Sequence, residues 1–170
     1  GGSGEEYFFG HIPLVGLTFI IADGAGFTGD YIGQSNITLT DGVWQHVVAT
    51  YDGTRVPGGI KVYLNGVNAT NAGLDPGSYT AMSASSADLV IGRKWSGLTT
   101  NVGTGFLDEI ALFDKELSSA EVTELYNSGY ALNLSDSSMG NDIVSWWRMG
   151  DKATGTSPNY TIPDQIGSND

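Results

Sequence analysis

The sequence predicts an all-β, antiparallel sandwich carrying a single short helix, and three observations lead there. Glycine is abundant, at 25 of 170 residues, while charged residues make up only 15%. That composition suits many short strands joined by tight turns and does not suit a helical bundle, whose solvent faces need charge. Asn65-Gly66 sits between two apolar-patterned runs, and both residues tolerate the positive φ of a two-residue hairpin. Finally, Trp44 to Tyr51 is apolar on both faces, as expected of a strand in the middle of a sandwich.

Taken in order, Tyr7 to Phe9 and Ile12 to Ala22 read as strands, rich in aromatic and β-branched residues. Asp23 to Gly26 and Thr28 to Asp30 carry turn chemistry. Tyr31 to Thr40 alternates, and Asp41-Gly42 turns the chain into Trp44 to Tyr51. Ile60, Val62 and Leu64 alternate with Lys61, Tyr63 and Asn65, a half-buried strand that returns through Asn65-Gly66 as Val67 to Thr70. A Gly/Pro/Ser loop follows over 71–87, then a strand at Asp88 to Arg93, a polar loop over 94–105 and a long strand at Phe106 to Phe113. The helix is expected at about 118–128: Ser118 and Glu121 form a capping box, Val122, Leu125 and Tyr126 an apolar stripe, and Gly129 a stop. Asp142 to Arg148 is the last strand, and 150–170 reads mostly as loop.

The net charge of −12 comes from 19 acids and seven scattered bases. Nucleic acid needs clustered cations to neutralise phosphates, so it is not an expected partner. Anionic membrane surfaces are disfavoured for the same reason. No apolar run reaches the ~18 residues of a membrane span, so no membrane insertion is expected. The absence of cysteine excludes a disulfide framework and thiolate metal sites. At this length one domain over 1–170 is expected, burying roughly 70% of the surface of its unfolded chain. The Gly1-Gly2-Ser3-Gly4 start reads as a linker, a processed end or a slice of a longer polypeptide, and with the acidity it leans toward part of a larger polypeptide or assembly.

Four ordered motifs then carry a resemblance. Trp44-Gln45-His46-Val47-Val48-Ala49-Thr50-Tyr51-Asp52-Gly53, Lys61 to Gly66, Ile91-Gly92-Arg93, and Phe106 to Phe113 running on through Leu117-Ser118 and Glu121 to Tyr126 resemble successive pieces of laminin G-like domains. These belong to the concanavalin A-like lectin/glucanase superfamily and occur in bacterial and phage surface proteins. The resemblance implies a two-sheet jelly roll of roughly 12 to 14 strands. It also implies binding of carbohydrate or of neighbouring protein subunits, in many members Ca²⁺, and an extracellular, cell-surface or virion-surface location. A purely structural decoration module of a capsid, tail or adhesin repeat is the alternative. The family's first, tryptophan-bearing strand resembles Ile143 to Asp151 here, followed by Asp164 to Asp170, and so comes last. Residues 142–170 either complete this sandwich by permutation, open a following repeat, or pair with a neighbouring subunit. The first is favoured, because an unpaired Trp146-Trp147 strand would be an exposed apolar edge.

Glucan hydrolases share that fold, so catalysis must be weighed. A retaining pair needs two carboxylates about 5–5.5 Å apart in one cleft. The nearest candidates, Asp108 and Glu109, are adjacent, and adjacent residues of a strand point to opposite faces, which argues against an enzyme. His46 lies in a core-like strand and reads as a structural histidine with its hydrogen bonds satisfied. Asp108 shares a strand face with Phe106, Ile110 and Leu112 and must be hydrogen-bonded, paired or metal-bound. Asp23 with Asp30, and Asp142 with Asp151, are further oxygen donors of the kind Ca²⁺ takes. For a glycan, the aromatic and polar candidates outside the core pattern are Trp95, Arg93, Tyr79, Asn101 and Tyr31.

Overall fold

The computed structural model describes residues 6–23, 31–75, 77, 79–82, 84, 86, 88–92, 104–157 and 159–167, with 31, 32, 35 and 72 described in backbone only. The chain divides into two compact units, one formed by 1–89 and 118–130, the other by 90–117 and 131–170.

The first unit contains β1 (Tyr7–Ile12), β2 (Gly16–Ala22), β3 (Tyr31–Ile37), β4 (Val47–Tyr51), β5 (Ile60–Leu64), β6 (Val67–Asn68), β7 (Ala72–Leu74) and the helix α1 (Ser119–Tyr126). Two antiparallel sheets result, ordered β1-β2-β3-β7 and β4-β5-β6. Leu17, Ile21 and Ile37 of the first sheet pack with Ile60 and Val62 of the second in one buried cluster. The period of two along each strand puts these residues on one face. α1 serves the opposite face of the second sheet. Val122 is fully buried there, and the hydroxyls of Tyr63 and Ser119 lie 3.2 Å apart.

Local chemistry sets the boundaries. Ser118 and Glu121 form the expected capping box, with the Glu121 amide donating to Ser118 Oγ and the Ser118 amide to Glu121 Oε2. The helix ends at Asn127, which takes the left-handed conformation itself (φ 42°), two residues before Gly129. Asn65 (φ 51°) and Gly66 (φ 77°) make the hairpin turn between β5 and β6. Expected as one strand, Ile12 to Ala22 is instead a hairpin arm: Leu14 (φ 68°) and Gly16 (φ 96°) reverse the chain after β1. A Cβ at Gly16 would meet the Ile37 carbonyl oxygen at 2.7 Å, so the position requires glycine. The strand expected from Trp44 begins only at Val47, which leaves Trp44 68% exposed. Part of the loop expected over 71–87 pairs with β3 as β7.

The second unit contains β8 (Ile110–Phe113), β9 (Ile143–Trp147), β10 (Thr154–Thr156) and β11 (Asn159–Thr161). β8 pairs antiparallel with β9, Ile110 opposite Trp147 and Ala111 opposite Trp146. The tryptophan strand is therefore paired within its own chain. β10 and β11 form a hairpin inside the segment expected to be loop. The long strand expected from Phe106 is short because Glu109 adopts φ 53°, which breaks the extended backbone before Ile110. Phe106 is 87% exposed, so the strand face assigned to it with Asp108 does not form. Residues 88–92, expected in a strand, form none.

The all-β expectation with one short helix stands: antiparallel sheets and a single α-helix, with four one-turn 3-10 segments, account for the regular structure among the described residues. No helix among them is long and apolar enough to cross a membrane.

Candidate functional site

The chemistry of the second unit gathers where β9 ends. The left-handed backbone of Glu109 lets two consecutive carboxylates reach the same stretch of chain, which strand alternation would forbid. Trp146 Nε1 donates to Glu109 Oε2 at 2.8 Å, and Arg148 Nε donates to Glu109 Oε1 at 3.0 Å. Asp108 Oδ1 accepts the Glu109 amide at 2.9 Å and the Met149 amide at 3.1 Å. Arg148 also pairs with Asp151 at 3.2 Å and lies 5.2 Å over the Trp146 ring. Its hydrogen bond to Glu109 holds the guanidinium even more firmly protonated than usual.

Both tryptophans of β9 are buried, Trp146 at 3% and Trp147 at 6% exposed, where alternation alone puts one of them in solvent. Asp164, 9% exposed, fastens the same strand. Its Oδ1 accepts the amides of Trp146 at 2.9 Å and Ile166 at 3.0 Å, and Gln165 donates back to the Trp146 carbonyl at 2.8 Å. Burial works to raise the Asp164 carboxyl. The amides of Trp146, Ile166 and Gly167 and the Ser145 hydroxyl outweigh it and hold the group well below the usual carboxylate range. The sequence pattern puts Asp164 only in the loop that runs over 150–170. The Asx-type bond to Ile166 two residues on is the local signal that such a residue carries.

Beside these groups lies a cavity of about 370 Å³, lined mainly by Ile91, Leu107, Trp147, Met149, Tyr160 and Ile162. Trp147 is largely buried within it, while Tyr160 on the β10–β11 hairpin is 62% exposed and Leu107 53%. Neither β10–β11 nor this groove was foreseen, because exposed Thr, Gly and Asn around one tyrosine give no apolar periodicity.

Of the sequence candidates for a glycan, Arg93, Trp95 and Asn101 lie outside the described residues. Tyr31 opens β3 opposite Ala22. Tyr79 packs half-buried against the core of the first unit, where burial and a hydrogen bond with Tyr51 push its phenol up to about 12. Of the cation candidates, Asp30 lies outside the described residues and Asp23 follows β2 directly. Asp142 pairs with Lys115 at 2.8 Å, Asp151 with Arg148, and Asp108 takes two amides through one oxygen. Among the described residues no three histidine or acidic side chains gather as a group that could hold a metal ion.

His46 differs from expectation. Its ring lies 5.8 Å from that of Tyr126, and its Nδ1 is buried without a hydrogen-bond partner among the described residues.

The family model of the concanavalin A-like lectin/glucanases superfamily matches residues 1–123. No curated protein and no solved structure matches the chain.

Proposed function

The chain belongs to the concanavalin A-like lectin/glucanases superfamily, and from that premise we propose that it is a non-catalytic, glycan-binding recognition module of an extracellular, cell-surface or virion-surface protein. The observation that carries this reading is the groove of the second unit, where an exposed tyrosine flanks a largely buried tryptophan. Sugars present apolar C–H faces to such rings.

The superfamily also contains glucanases. The adjacent acidic pair Asp108 and Glu109 argues against that chemistry here, because both Glu109 oxygens are held by Trp146 and Arg148 and Asp108 is tied to the backbone. A nucleophile or general acid needs a carboxylate free to meet substrate. On this reading affinity comes from the groove and not from a cation, so chelation leaves it unchanged. Heat on adding Ca²⁺ to chelator-stripped protein would bring the aspartates back into the account.

The test is a glycan array with the full chain and with Tyr160→Ala, an exposed position, the variant's fold being checked by its melting temperature. Hits present in the parent and lost in the variant support the reading. A flat array from a folded protein that self-associates would replace it with the structural-module alternative.

A further inference from the structure

We infer that the Trp147–Tyr160 groove selects an uncharged sugar bearing an N-acetyl group, with the acetyl methyl entering between Met149, Ile162 and Leu107. The inference rests on the glycan-binding reading above and specifies its ligand. Its first ground is the lining. Beyond the aromatic pair, the described side chains that wall the groove are those of Ile91, Leu107, Met149 and Ile162, which offer no strong hydrogen-bonding group. A hexose that buried its hydroxyls there would leave them without partners, whereas a methyl group loses no hydrogen bond and gains apolar contact. An acetamido sugar divides to match the site. Its methyl suits the apolar wall, its ring C–H face suits Tyr160, and its amide and remaining hydroxyls stay in solvent at the open side of the groove, where Tyr160 and Leu107 are exposed.

The second ground is charge. Asp108 follows Leu107 in sequence, Asp151 lies two residues past Met149, and Arg148 between them is engaged by Glu109 and Asp151. With a net charge of −12 over the whole chain, sulfated or carboxylated sugars meet repulsion.

Calorimetric titration of the full chain with N,N′-diacetylchitobiose, cellobiose and a sulfated disaccharide tests this. The expected result is binding of the acetylated sugar about tenfold or more tighter than cellobiose, the discrimination that one buried methyl-sized group supplies. Binding should vary little with salt, weaken sharply in Tyr160→Ala, and lose its acetyl preference in Met149→Thr. Equal affinity for both neutral disaccharides, still dependent on Tyr160, would overturn the acetyl inference and leave the glycan-binding reading standing. Tighter binding of the sulfated sugar would overturn it on charge. Binding indifferent to Tyr160→Ala would overturn the groove itself, and with it both readings.

Discussion

Glu109 accepts the indole N–H of Trp146 at 2.8 Å with one carboxylate oxygen and holds Arg148 Nε at 3.0 Å with the other. The pair joins a left-handed residue at the entry to β8 with a nearly fully buried ring on β9. Replacing Glu109 by alanine strands a buried donor and a cation together, and should lower stability by about 1–3 kcal/mol. Glu109→Gln keeps an acceptor for the indole and should lose less. Urea unfolding reads both, and an alanine variant with an unchanged midpoint would show that the indole finds its partner elsewhere.

Asp164 sets an acid limit on the second unit. Its folded carboxyl is depressed because backbone amides donate to the charged form, so the unfolded chain binds the proton more readily. The resulting stabilisation is fully present above the unfolded value of about 3.9 and is lost as pH falls through the lower folded value. Asp164→Asn should cost about 1–3 kcal/mol at neutral pH, since the amide accepts more weakly from Trp146 and Ile166. It should also flatten the decline in melting temperature below about pH 4. If the variant keeps the parental acid slope, other carboxylates set it.

How far the sequence reveals this structure depends on how locally each feature is encoded. The capping box at Ser118 and Glu121 and the turn at Asn65-Gly66 involve residues within three positions of one another, and both form as expected. Trp44 and Glu109 show the opposite case. Each lies in a run whose pattern suggests strand, yet the ladder starts three residues past Trp44, and Glu109 breaks the extension through its own φ. Partners that far apart in sequence, as with Trp146 and Glu109, 37 positions distant, leave no periodic trace. The same holds for the groove, which brings Leu107, Trp147 and Tyr160 together from three separate segments.

His46 makes the first unit sensitive to mild acid. Burial lowers the imidazole's proton affinity, and Nδ1 has no partner among the described residues to offset it. The unfolded chain therefore takes up the proton first. Stability from the neutral ring is complete above about pH 6.5 and declines as pH falls toward the lower folded value. His46→Phe keeps a ring beside Tyr126 and removes the orphaned nitrogen, so its melting temperature should stay level from about pH 7 to about pH 5 while the parent's falls. Parallel curves for the two proteins would place the titration elsewhere.

The tryptophans offer the sharpest contrast between pattern and packing. Trp44 opens the most recognisable motif in the chain, yet it precedes β4 and is 68% exposed, whereas Trp146 and Trp147 are both almost wholly buried. Truncating a buried tryptophan removes its transfer energy and leaves a cavity, at a cost of about 3–5 kcal/mol. A surface substitution usually stays within about 0.5 kcal/mol of the parent. Trp44→Ser should therefore leave the urea midpoint almost unchanged, while Trp146→Ala should unfold at much lower denaturant. Their fluorescence separates them as well: removing Trp44 should reduce the emission accessible to an aqueous quencher, whereas removing Trp146 should reduce the shielded component. A large loss of stability in Trp44→Ser would mean that this ring is covered in the folded protein, and that the strand begins where the sequence pattern first put it.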